Sequence, residues 1–206
     1  MTEFTQENDC LLKVKLQNEK VYSKAGAMVA YDGQMKFSKA ILGGEGIFGA
    51  LKRKLTNESE SLMTTEGMGT VYFAHKAREV SVIPINNDKI YIESSCLLAY
   101  DDNLTTNVAF AGLHGASSGQ GLFTTTVEGT GHIAVISDGG LLKLEVSPNY
   151  PLSVDPDAFI AYQGDINREF VLDVNWKTTI GQSSGETFQI RFSGVGIVYL
   201  QPSEQR

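Results

Sequence analysis

The chain has 206 residues, 42% of them hydrophobic, and carries 17 Lys and Arg against 24 Asp and Glu for a formal net charge of −7. That length and apolar content suit one domain with a sizeable core that needs neither disulfides nor metals. The acidic balance argues against a nucleic-acid binder, which needs clustered cations to displace phosphate counterions, and no run approaches the roughly eighteen apolar residues of a spanning helix.

At the N-terminus, Met1 to Cys10 carries Glu3, Glu7 and Asp9 with no base and no apolar run. It resembles neither a signal peptide nor an arginine-rich transit peptide, so a soluble, cytoplasmic, bacterial-like setting is expected. Cys10 and Cys96 lie far apart and match no metal or redox spacing, as suits ordinary thiols in a reduced compartment.

Strand periodicity follows. Leu12-Val14-Leu16 alternates with polar residues before the turn Gln17-Asn18-Glu19; Val80-Val82-Ile85 and Ile90-Ile92 flank Asn86-Asn87-Asp88. Leu142-Leu144-Val146 lies between Ser137-Asp138-Gly139-Gly140 and Pro148-Asn149. Period-two alternation broken by short turns predicts strands, and the 21 glycines supply the corners of a meander.

Two signatures recur three times. An apolar pair, Ala-Tyr and a polar turn form Met28-Val29-Ala30-Tyr31-Asp32-Gly33, Leu97-Leu98-Ala99-Tyr100-Asp101-Asp102 and Phe159-Ile160-Ala161-Tyr162-Gln163-Gly164. A Gly-x-Gly turn feeding an apolar strand forms Gly67-Met68-Gly69, Gly129-Thr130-Gly131 and Gly194-Val195-Gly196, each with its following residues. The Ala-Tyr pairs fall 69 and 62 residues apart and the second glycines 62 and 65. The expectation is a single all-β domain of three β repeats, near 10–75, 76–137 and 138–202, forming a pseudo-threefold closed β barrel or prism.

Gly44, Gly46 and Gly49 have the spacing of a dinucleotide fingerprint, but no buried parallel strand precedes them and no strand-helix-strand alternation follows. No cofactor is expected. Related stretches at Ser118-Gly119-Gln120-Gly121-Leu122-Phe123 and Ser183-Ser184-Gly185-Glu186-Thr187-Phe188 favour a structural corner. The first repeat inserts residues 43–57, where Ile47, Phe48, Leu51 and Leu55 have the spacing of a short helix near 47–55 beside Lys52, Arg53 and Lys54. Two readings stand: a helix packed across one end of the barrel, or a surface on which Phe48, Leu51, Lys52, Arg53 and Lys54 meet anionic lipid or a partner.

Catalytic chemistry is thin. His75, His114 and His132 have no metal-ligand spacing and no Gly-x-Ser-x-Gly elbow occurs. Asp101-Asp102 and the Asp155, Asp157 pair around Pro156 read as solvated turn residues, and His114, His132 and Asp138 as separate turn or surface groups. Tyr31, Tyr100 and Tyr162 are a candidate repeat-related pocket, with core packing the favoured alternative.

Gly44-Glu45-Gly46-Ile47-Phe48-Gly49-Ala50-Leu51-Lys52-Arg53, Glu60-Ser61-Leu62, the block from Ser118 to Phe123 and the run from Phe192 to Gln201 together resemble the Altered Inheritance of Mitochondria protein twenty-four family, over nearly the whole chain. The resemblance implies a β-rich fold of the tryptophan RNA-binding attenuation protein type, built from three β units. It supplies no catalytic mechanism and no catalytic residue. Its eukaryotic members look mitochondrial and tied to inner-membrane organisation; its bacterial members form a domain of unknown function. The expectation is therefore a non-catalytic scaffold or binding protein with a protein partner or self-association. Peripheral binding to an anionic membrane through residues 43–57 is the alternative, and a small-molecule-binding protein or enzyme the lesser one.

Overall fold

The alternation at Leu12, Val14 and Leu16 becomes the core-facing side of a long strand, with all three buried while Lys15 and Gln17 are exposed. The computed structural model describes residues 2–40, 62–110, 123–173 and 187–202. Its strands are β1 (Glu3–Asn8), β2 (Leu11–Lys24), β3 (Met28–Tyr31), β4 (Gln34–Lys39), β5 (Leu62–Phe73), β6 (Glu79–Glu93) and β7 (Leu97–Asp101). They continue as β8 (Thr105–Phe110), β9 (Phe123–Ser137), β10 (Leu142–Val146), β11 (Leu152–Val154), β12 (Phe159–Asp173) and β13 (Thr187–Leu200). Among the described residues the only helical segments are the short 3-10 turns Ser94–Cys96 and Pro156–Ala158. The expected helix near 47–55, with Phe48, Leu51, Lys52, Arg53 and Lys54, lies outside the described residues, as does His114.

All pairings are antiparallel, and hydrogen-bonded neighbours run β10-β13-β12-β6-β9-β7-β2-β5-β3, with β1 on β2, β4 on β5, β8 on β9 and β11 on β13. A closed barrel was expected from the sequence, but this path is open. Its two ends, β10 and β3, each pair on one side only among the described residues.

The chain divides into two compact units. The first holds residues 1–84, 97–103 and 131–136, and its core gathers Leu12, Val14, Leu16, Val71, Phe73, Val80, Leu98 and Ile136. The second holds residues 85–96, 104–130 and 137–206, with a core of Val146, Val154, Phe159, Tyr162, Ile190, Phe192 and Val198. Leu142-Leu144-Val146 does form a strand, but only Val146 is buried and Leu142 is 47% exposed, because β10 is an edge strand.

The recurring signatures are partners in strand pairing. Met28-Val29-Ala30-Tyr31 pairs with β5 through Met28↔Phe73 and Ala30↔Tyr72; Leu97-Leu98-Ala99-Tyr100 pairs with β9 through Leu97↔Val135 and Ala99↔Ala134. Phe159-Ile160-Ala161-Tyr162 pairs with β13 through Phe159↔Leu200 and Ala161↔Tyr199. In each case the register slips at the residue before Ala-Tyr, a β-bulge that sharpens the local twist. The Gly-x-Gly stretches, expected as turns leading into a strand, lie inside β5, β9 and β13 instead and follow from the same close crossing. A Cβ on Gly69 would overlap the Asp32 carbonyl oxygen and one on Gly196 the Gln163 carbonyl oxygen, so only glycine lets the backbones approach.

Candidate functional site

The three signature tyrosines have different neighbours. Tyr100, on β7, is 2% exposed, and its ring stacks on Tyr22 of β2 with centroids 5.0 Å apart and planes 10° apart. The pairing Tyr22↔Tyr100 places them opposite each other, flanked by Val21↔Asp101 and Ser23↔Ala99. Tyr162 repeats this in the second unit. It lies opposite Tyr91 of β6, between Ile90↔Gln163 and Ile92↔Ala161, and the two rings stack at 4.6 Å and 8°. Tyr31 has no such partner strand among the described pairings; its ring meets Phe37 edge-on at 5.0 Å and the residue is 50% exposed.

Burial and ring stacking shape the chemistry of these phenols. Burial pushes the Tyr162 hydroxyl above its ordinary range, and the Arg168 cation pulls it partly back. Tyr199 is also raised by burial, with Asp88 adding to the effect, and its hydroxyl donates to Gln163 Oε1 at 3.0 Å.

The aspartate that ends the second signature is not the solvated turn group its sequence suggested. Asp101 is 4% exposed, because β2 and β9 close over β7 on both sides. Its Oδ2 accepts from the His132 backbone N–H at 2.7 Å and lies 3.1 Å from His132 Nδ1. Its Oδ1 is buried with no hydrogen-bond partner among the described residues. Phe4 of β1 stacks on the imidazole at 5.7 Å. The first signature holds a counterpart: the Thr70 N–H donates to Asp32 Oδ1 at 2.8 Å, with Asp32 exposed. Each aspartate therefore holds the opposite strand at the residue that follows its Gly-x-Gly. The sequence signal was that Asp32 and Asp101 end one signature while Thr70 and His132 follow the Gly-x-Gly of the other. Asp102 is the solvated member, and it pairs with Lys20 at 3.2 Å, an interaction that raises the lysine above its ordinary range. Asp155 accepts from the Asp157 N–H at 3.0 Å and caps the turn over Pro156.

Two further features were not read from the sequence. An open cleft in the first unit is lined by Asn18, Glu19, Lys20, Glu66, Asp102 and Asn103, with Lys20 already bound to Asp102. In the second unit Arg168 of β12 lies with its guanidinium carbon 5.7 Å from the Tyr162 ring centre and 5.6 Å from that of Phe170. Its Nη1 donates to Thr124 Oγ1 at 3.1 Å. Tyr162, Arg168 and Phe170 stand at even spacing on one strand, which is the pattern that places three side chains on one face. Among the described residues no cluster of three or more His, Cys, Asp or Glu has metal-ligand geometry, and no helix is long and apolar enough to cross a membrane. Cys10 and Cys96 are free thiols.

No curated protein matches the chain. A crystal structure of a Streptococcus pyogenes protein is similar over 99% of this chain and 94% of that one, at 20% identity and a TM-score of 0.74, a likeness of fold. The family described as mitochondrial biogenesis AIM24 matches residues 3–203, which is nearly the whole sequence. The chain therefore belongs to the mitochondrial biogenesis AIM24 family.

Proposed function

We propose that the protein is a non-catalytic β-rich scaffold made of three β repeats, and that it acts by presenting its surface to protein partners. The observation that carries the scaffold reading is the use made of its most chemical-looking side chains. Asp32, Asp101, His132 and Asp155 each engage a backbone group or a neighbouring side chain that holds a strand or turn in place. A carboxylate already accepting a backbone N–H in a turn is a structural joint rather than a poised acid or base.

Strand register supports the repeat. At two junctions the strand that precedes a repeat covers that repeat's Ala-Tyr strand: Val21-Tyr22-Ser23 covers β7 and Ile90-Tyr91-Ile92 covers the start of β12. The third repeat owns the corresponding segment, Leu152-Ser153-Val154. Leu152↔Phe192, Ser153↔Arg191 and Val154↔Ile190 hold the places of Val21↔Thr65, Tyr22↔Thr64 and Ser23↔Met63. Three such β units are also what the family resemblance implies.

Chemical denaturation of Asp32→Asn and Asp101→Asn tests this reading. Structural joints predict that both variants lose stability. Variants as stable as the unaltered protein would overturn the joint role of these carboxylates and with it the scaffold reading.

A further inference from the structure

We propose that Arg168 is the anchor of a binding subsite for a small oxyanion, a phosphate or a carboxylate, in the second unit. This goes beyond the scaffold reading, which requires no ligand.

The side chain is held in place before any ligand arrives. Two rings of its own strand, Tyr162 and Phe170, flank the guanidinium at 5.7 and 5.6 Å, and Thr124, 3% exposed on β9, accepts one N–H. A guanidinium carries five N–H donors in a planar fork, so most of them are left without a partner among the described residues. No acid pairs with it among the described residues. By contrast Lys13, Lys20 and Lys89 each hold a carboxylate, Glu7, Asp102 and Glu128, at 3.1, 3.2 and 2.8 Å. The neighbouring Glu169 alternates to the opposite side of β12 and accepts there from Asn167 at 3.2 Å.

In a chain with 24 acids and 17 bases, a clamped arginine without an acid partner among the described residues is well arranged to take one from outside. Its rings fix the fork, so little side-chain freedom is lost on binding, and the fork matches two oxygens of one phosphate or carboxylate. A neutral or cationic ligand gains nothing from it.

The test is a titration at constant ionic strength with inorganic phosphate and, separately, with succinate, following the Arg168 Nε–H signal and the phenol titration of Tyr162 by NMR. The subsite predicts a saturable shift with a midpoint of order millimolar. Arg168→Gln weakens it at least tenfold, and Arg168→Lys weakens it as well, because an ammonium lacks the fork. Bound anion offsets the Arg168 charge, so the Tyr162 phenol titrates at higher pH with ligand than without it, a difference that vanishes in Arg168→Gln. Saturation by phosphate alone assigns a phosphoryl ligand, and by succinate alone a carboxylate. A shift that never saturates, or equal affinity in a folded Arg168→Gln protein, overturns the proposal. If that variant does not fold, equal affinity in Arg168→Lys and Thr124→Val overturns it instead.

Discussion

β3 and β7 are written in nearly the same residues, Met28-Val29-Ala30-Tyr31 and Leu97-Leu98-Ala99-Tyr100, and meet opposite environments. Every residue of β7 is buried, with β2 on one side and β9 on the other. In β3, Val29 is 60% exposed and Tyr31 50%, because among the described residues only β5 pairs with it. The same local pattern becomes core or surface according to whether a second strand covers it. Burial here depends on whether a second strand lies alongside, and residue type alone does not set it.

The largest test of that contrast compares the two tyrosines. Tyr100→Ala removes a buried, stacked ring and should lower stability by about 3–5 kcal/mol, whereas Tyr31→Ala should lower it by less than about 1.5 kcal/mol, since its half-exposed ring meets Phe37 edge-on. Chemical denaturation of both variants measures this, and equal losses would erase the distinction between covered and uncovered strands.

A smaller effect separates two glycines near β3. Gly69 has φ +146° and backbone within overlap distance of a Cβ, so Gly69→Ala should lower stability by about 2–3 kcal/mol. Gly26, at φ +80° with open space around it, should lose only about 1 kcal/mol on the same change. The two turn aspartates differ in the same sense. Asp101→Asn disturbs a buried acceptor of two His132 groups and should lower stability by about 1–3 kcal/mol; Asp32→Asn, at an exposed cap, should lower it by about 0.5–1 kcal/mol.

Alkaline pH sharpens the comparison from the covered side. Tyr162 and Tyr199 are both raised by burial, so folding favours their neutral forms. Their contribution is complete below the unfolded value near pH 10 and is lost as pH climbs through the raised folded values. Denaturation midpoints should therefore fall above about pH 10, and Arg168→Gln should move the Tyr162 transition higher still. The smallest expected effect concerns the lipid alternative. On the scaffold reading, changing Lys52, Arg53 and Lys54 to Gln leaves sedimentation with anionic vesicles unchanged at background level. Salt-sensitive binding lost in that variant would favour a membrane surface instead.

The alternation at Leu12, Val14 and Leu16, and the two recurring signatures, were legible because strand period and glycine turns are local properties of the chain. That the signatures pair with each other was not read, although both recur at matching intervals. The burial of Asp101 was hidden for a related reason: its cover comes from Val21 on β2, some eighty residues earlier in the chain. Arg168 escaped notice because a lone cation in a strand carries no motif. Its even spacing from Tyr162 and Phe170 was the available signal, but Thr124, which completes the clamp, stands 44 residues away. Closure was read from the repeat count, and a count does not say whether the last strand covers the first.

The most direct test of the contrast between β3 and β7 is amide hydrogen exchange on the intact protein. The account predicts slow exchange along β7, which pairs with β2 on one side and β9 on the other, and fast exchange for the β3 amides that make no bond to β5. Equal protection of the two strands would contradict it.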